Sequence, residues 1–400
     1  MPARSTLTRA ALAVAVAAVL AGTGAVVLTS GGSPTHVQAA GPTPAPAPAA
    51  VAQVARAKGD VVPWDVPVTV TVDHGTVTSA TLTGPDGALV HGSLGPAGWT
   101  SSTTLVPRAT YLLHVELTND DGATSSYDRT LHAAPPAHEL RATISPRAGT
   151  YGIGQPVIVH FNHPVKGAAA RTAVMQRLVV TTTPAVEGAW RWYNSYEVHY
   201  RGPSYWKPGT TVSVRADLAG LRLPGTGTWG AETARTGGMR IGAALVATVD
   251  VTAHKMTVKR NGKVVRVVNV STGRDKYPTK GGVHIVLVRE REHLYNSATV
   301  GIPTSSPDGY YEKLPWSVRI SNAGAFVHAN PATVRYQGST NVSHGCVNAS
   351  VRDAKWFYEN SHLGDIVNVV HAAVGPVRWD AGMADWNYSW ETWQKGNLTG

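Results

Sequence analysis

The 400-residue chain contains a single cysteine, Cys346, set in Ser343-His344-Gly345-Cys346-Val347-Asn348. One thiol rules out an intramolecular disulfide framework and a cysteine zinc ribbon, leaving nucleophilic chemistry or inert packing. A free thiol has a pKa of about 8.5 and is only a few per cent ionised at neutral pH, so a nucleophilic cysteine needs a neighbouring imidazole or other positive potential. Two histidines qualify: His344, two positions before the sulfur, and His328, eighteen positions before it in Phe326-Val327-His328. Side chains two residues apart in a strand or turn usually point along different directions, whereas His328 can arrive on a neighbouring strand. His328 is therefore the expected base, with a nearby backbone carbonyl such as that of Ala329 fixing its tautomer, and the sulfur is expected to sit ionised beside it. Gly345 permits a sharp turn that would aim the amides of Gly345 and Cys346 at a developing oxyanion, while Ser343 and Asn348 would hold the loop by hydrogen bonds. Polar neighbours and a glycine, not an apolar run, flank the thiol, which argues against packing alone.

The elements that must hold these groups read as mainly β. Apolar residues make up 43% and charged residues only 15%, with 41 glycines and 26 prolines, a mix that favours short strands and turns over long helices. Val66-Pro67-Val68-Thr69-Val70-Thr71-Val72 alternates strictly, and turn signals at 84–87, 95–96 and 119–122 bracket further strands, so residues 60–134 read as one immunoglobulin-like module. VIVHF at 157–161, RLVVTTT at 177–183 and TTVSVRA at 210–216 make 135–242 a second. Residues 243–371 read as a β-rich catalytic domain, in which Asn261-Gly262 is the pair a two-residue hairpin turn prefers. The one persuasive helix follows Ser350, a candidate cap with Asp353 three residues on. The Trp-rich tail, 372–400 with Trp379, Trp386, Trp390 and Trp393, is expected to pack on the catalytic domain; stacking on glycan is the alternative.

At the N-terminus, Arg4 and Arg9 precede an uncharged apolar run over residues 10–28, the pattern of an export signal or a retained membrane anchor. Residues 1–38 would be that signal or anchor and the Pro/Ala-rich stretch 39–59 a semi-rigid spacer, putting the rest in the extracytoplasmic cell envelope. The net charge of +10 suits a polyanionic envelope; no basic helix or aromatic–basic motif points to nucleic acid. Gly225 to Gly230 matches GxGxxG without a strand–helix context, and His284 and His293 lack partners at ligand spacing, so neither a dinucleotide nor a metal is expected.

Residues 326–350 resemble the active-site signature of the L,D-transpeptidases of the YkuD family: histidine, about fourteen to seventeen residues, then [Ser/Thr]-His-Gly-Cys-x-Asn. Fourteen residues separate His328 from Ser343 here, and every signature position is filled. SPDGYY at 306–311 resembles the family's lid, TWG and PGTTV its immunoglobulin-like domains, and WETWQKGN its tail. Two positions depart: Pro278-Thr279-Lys280-Gly281-Gly282 stands where PTPxG is common, and Ala329 follows the histidine where close relatives carry serine.

The resemblance implies peptidoglycan cross-linking. Cys346 would attack the diamino acid carbonyl of a tetrapeptide donor stem, release D-alanine and pass the acyl group to a second stem as a 3→3 bridge. By the same resemblance His328 is the base, the backbone amides of His344, Gly345 and Cys346 line the oxyanion hole, and Tyr310 contacts the donor. Carbapenem-type inhibitors would acylate Cys346, and no metal or organic cofactor is required. Hydrolysis of stem peptides is a rival within the family, and a non-catalytic wall-binding module is a rival outside it.

Overall fold

The computed structural model describes residues 45–223, 225–235, 238–378 and 383–399. The apolar run at 10–28 and Trp379 lie outside the described residues. No helix among the described residues is long and apolar enough to cross a membrane.

The chain is mainly β throughout. In the first module a four-stranded sheet and a five-stranded sheet close over Val70, Leu82, Leu113, Val115 and Leu131. Its first strand, Val51–Val54, pairs antiparallel with Thr69–Asp73, so the spacer expected over 39–59 is structured in its second half. The reason is local: beyond Pro48 the prolines stop, and alternation buries Ala52 and Val54 while Val51 and Gln53 face out. In the second module the sheet of Ala142–Ser145, Val157–Phe161, Glu197–Arg201 and Ala189–Trp192 covers Phe161 and Trp192. An Ala-rich helix, Ala168–Met175, also sits there; the sequence reading missed it because its N-cap, Gly167, provides no side-chain cap. The Gly225–Gly230 stretch leads into the short Thr228–Gly230 strand beside His138–Leu140, an ordinary glycine-rich turn.

In the third region, Leu245–Asp250 pairs antiparallel with Lys255–Arg260 and parallel with Ile366–Val370 in a six-stranded sheet. The adjoining hairpin turns at Asn261 and Gly262, both with positive φ (48° and 81°), as a two-residue type I′ turn requires. A second sheet runs Val288–Asn296, Tyr311–Arg319, Phe326–Ala329, Val347–Ala349. Val318, Val327 and Val347 from this sheet share one core with Leu245, Val258 and Val268 from the other. Phe357 seals that core from the Val351–Asn360 helix, whose first turn is capped by Ser350 Oγ accepting from the Asp353 amide at 3.1 Å.

The tail packs on two partners, and its Val374–Pro376 strand pairs parallel with Lys280–Ile285 at the edge of the catalytic six-stranded sheet. Its rings are received by the second immunoglobulin-like module more than by the catalytic sheets. Trp393 is fully buried and donates to the Ala189 carbonyl at 2.8 Å. The Arg201 guanidinium lies 4.7 Å from the Trp386 ring centre and 4.4 Å from that of Trp393, and donates to the Tyr388 carbonyl at 2.7 Å. His199 contacts Asp385 at 2.9 Å and Glu197 at 2.7 Å. Asn387 also ties this strap to the catalytic sheets, accepting from the Val283 amide at 2.7 Å and donating to its carbonyl at 3.0 Å. A delocalised cation among indoles suits Arg, which is less strongly hydrated than Lys and stacks on ring faces.

Candidate active site

Strands Phe326–Ala329 and Val347–Ala349 run parallel, with His328 opposite Asn348. Parallel neighbours cannot be joined by a tight turn. The connection over residues 330–346 includes the 3-10 turn Pro331–Tyr336, and it ends with the thiol just before the second strand begins. The long gap between histidine and cysteine in the sequence is the length of this crossover.

His328 is buried, and its Nδ1 donates to the Ala329 carbonyl at 3.0 Å. A carbonyl only accepts, so the proton sits on Nδ1 and Nε2 is a bare acceptor. Because this contact uses the backbone, alanine at 329 does not weaken it. The Tyr295 ring backs the imidazole at 4.7 Å.

The cysteine loop is tied down on both sides. Ser343 Oγ donates to the Cys346 carbonyl at 2.6 Å and accepts from the Gly345 amide at 3.1 Å. Thr279 Oγ1 donates to the Gly345 carbonyl at 3.0 Å and accepts from the Gly273 amide at 2.8 Å, a role for the 278–282 element that sequence reasoning had not assigned. Gly345 has φ of 115°, a conformation side chains rarely adopt, although a Cβ there would meet nothing closer than 3.8 Å. Glycine is thus required by backbone conformation rather than by space. Since the Gly345 amide is engaged by Ser343, the expected oxyanion pair changes. Of the amides of His344, Gly345 and Cys346, those of His344 and Cys346 have no hydrogen-bond partner among the described residues.

His344 does not have a bare nitrogen of the kind His328 presents. Its Nε2 accepts from Arg274 at 2.9 Å, and its ring lies 4.9 Å from both Tyr277 and Tyr310. Partial burial and the Arg274 charge both depress its pKa. Arg274 also pairs with Asp308, which Lys276 Nζ meets at 2.5 Å and the Tyr277 hydroxyl at 3.0 Å. This cluster latches the 306–311 segment, and with it Tyr310, over the thiol. Sequence reading missed it because its members lie more than thirty residues apart.

Cys346 is partly buried, its Sγ directed at the Gly324 carbonyl 3.7 Å away. Tyr310, His344 and Cys346 line two cavities at once. One, of about 200 Å³, runs toward Tyr277, Val300 and Gly324; the other, of about 180 Å³, holds His328, Ser343, Glu312 and Asn348. Asn348 Nδ2 donates to Thr333 Oγ1 at 3.2 Å, while its buried Oδ1 has no partner among the described residues. Burial pushes the thiol up to about 11, against the lowering influence of the Phe326 backbone and Arg319. Burial also brings the His328 imidazole down to about 4. The resting pair is neutral thiol and neutral imidazole, which corrects the expectation of a sulfur held ionised. Among the described residues no group of three or more His, Cys, Asp or Glu side chains could hold a metal ion. His284 is a buried core histidine, bonded to the Lys280 and Ile320 carbonyls.

Known proteins resemble this chain in sequence and fold. A bacterial Ig domain family matches residues 59–222, and the L,D-transpeptidase catalytic domain of the YkuD type matches 245–369. The class is therefore a YkuD-type catalytic domain carried behind immunoglobulin-like structure. L,D-transpeptidase 2 of Mycobacterium tuberculosis (strain CDC 1551 / Oshkosh) is 37% identical over 336 residues, covering 83% of this chain and 81% of that protein. L,D-transpeptidase 5 of Mycobacterium tuberculosis (strain ATCC 25618 / H37Rv) is 32% identical over 349 residues, 85% of this chain and 74% of that one. A solved LD transpeptidase in complex with imipenem is 33% identical, with 59% of this chain and all of that chain covered at a TM-score of 0.50. The chain belongs to the L,D-transpeptidase family of peptidoglycan cross-linking enzymes.

Proposed function

We propose that this transpeptidase works through a thioester on Cys346 and joins stem peptides by 3→3 cross-links. The observation that carries the reading is a thiol and an imidazole with a bare Nε2 lining one cavity, beside two unengaged amides. As Sγ attacks the diamino acid carbonyl of the donor tetrapeptide, Nε2 of His328 takes the thiol proton; it then gives that proton to the departing amine of D-alanine. The amides of His344 and Cys346 receive the negative charge on the carbonyl oxygen. A side-chain amine of the second stem then attacks the thioester. Its proton passes through His328 to the leaving sulfur, which restores the neutral pair.

Two cavities meeting at one sulfur suit a reaction with two substrates, donor on one side and acceptor on the other. Asn348 Oδ1, a buried acceptor without a partner among the described residues, is suited to a substrate N–H. Tyr310 covers the donor. The relative in complex with imipenem supports carbapenem acylation of Cys346 here as well. Export or anchoring through residues 10–28 would bring the enzyme to its substrate in the cell envelope.

The test is incubation with disaccharide-tetrapeptide and mass spectrometry of the products. Dimer lacking one D-alanine supports transfer; tripeptide monomer alone means hydrolysis. Cross-linking that persists in Cys346→Ala overturns the thioester.

A further inference from the structure

Beside the cavity that runs toward Val300 and Gly324, and sharing Tyr310 and Gly324 with it, lies a larger one of about 440 Å³, lined also by His293, Asn296, Arg319, Asn322 and Phe326. No aspartate or glutamate among the described residues lines it. The Arg319 guanidinium lies 4.6 Å over the Phe326 ring, two residues before His328 on the same strand. Arg319 is half-buried, yet among the described residues its guanidinium has neither an ion pair nor a hydrogen bond. The wall it shares is close to the reaction: the Gly324 carbonyl that lines this cavity is the one Sγ faces at 3.7 Å. The cavity holding His328, which the sulfur itself lines, carries Glu312 instead. The two flanks of the thiol thus differ in sign, cationic toward Arg319 and anionic toward Glu312.

A half-withdrawn guanidinium with no counter-charge is matched by a planar anion, which it can grip through two parallel N–H···O bonds. We propose that Arg319 binds a carboxylate of the donor stem. The inference rests on the donor reading given above. The carboxylate of the departing D-alanine lies within about one residue of the scissile carbonyl, ~3.5 Å of extended chain, and a diamino acid with a second carboxyl would carry another further out, at the end of its side chain. The cationic flank holds the donor by its acid while the anionic flank suits an incoming amine, so charge sorts the two stems to their proper sides.

The experiment compares acylation by three donors: the free tetrapeptide, one ending in D-alaninamide, and one with the diamino acid carboxyl amidated. Arg319→Gln is expected to raise KM for the free donor about 10- to 100-fold, the loss of a charged bidentate contact, with kcat changed far less. Arg319→Lys should recover part of the loss. In the wild type, amidating the carboxylate that Arg319 holds should impose the same penalty, and Arg319→Gln should no longer discriminate against that donor. Whichever amide behaves so identifies the source. Equal KM in wild type and Arg319→Gln, or discrimination unchanged by the substitution, overturns the proposal while leaving the transpeptidase reading intact. Wild-type enzyme that acylates with none of the donors would instead overturn the function itself.

Discussion

Reactivity of the thiol toward a neutral aromatic disulfide such as dithiodipyridine tests the resting state of the pair directly. With the thiol at about 11, roughly one sulfur in ten thousand is ionised at pH 7, against about three in a hundred for a free cysteine near 8.5. That is a deficit of about 2.5 decades in thiolate. A more basic thiolate is also a better nucleophile, and a Brønsted slope of about 0.4–0.5 returns a little over one decade. Cys346 should therefore react about 30-fold more slowly than free cysteine at pH 7, with a rate rising close to tenfold per pH unit and no plateau before pH 10. The rate is read from released pyridinethione, with Cys346→Ala as the blank. A plateau below pH 8, or reaction faster than free cysteine, would show an ion pair already formed. The argument that His328 takes the proton only during attack would then fail.

Other consequences are measurable in the same protein. His328→Gln should slow acylation by the 10²–10⁴-fold of a lost general base, whereas His344→Gln should cost less, because its Nε2 is already occupied by Arg274; burst-phase acylation by imipenem separates the two. The His199 pKa is raised to about 9 by Asp385 and Glu197 despite complete burial. A raised folded-state value means that this stabilisation is full below about 6.5 and fades as pH climbs through 9, so thermal midpoints should fall over that window in wild type and much less in His199→Gln. Lys276 and Tyr277 hold the Asp308 carboxyl below its usual range, so the latch holds at neutral pH and is lost only as acid titrates that depressed value. Asp308→Asn should free the 306–311 segment at pH 7, read as faster proteolytic nicking there and a higher KM for the donor.

Much of this molecule was legible in the chain. Alternation marked the strand at 211–217, because one face of a sheet is buried and side chains alternate along it, while the β-branched runs at 157–161 and 178–183 marked theirs by composition. Asn261-Gly262 marked its hairpin through backbone freedom alone. His328 could be preferred over His344 from distance along the chain, since a crossover between parallel strands returns the chain beside its start. The Ala-rich helix and the strand at Val51–Val54 escaped because neither carries a strong local stop or start.

By itself, then, the sequence determined which reacting groups exist, how far apart along the chain they lie and which segments could carry them, since those follow from residue type and short-range periodicity. Only the tertiary structure decided their state. Arg274 reaches His344 from seventy residues away, burial sets both the thiol and the imidazole neutral, Ser343 takes up the Gly345 amide, and the tail finds Arg201 across nearly two hundred residues. Desolvation and charge pairing depend on what surrounds a group in space, and the chain's order does not specify those neighbours until it has folded.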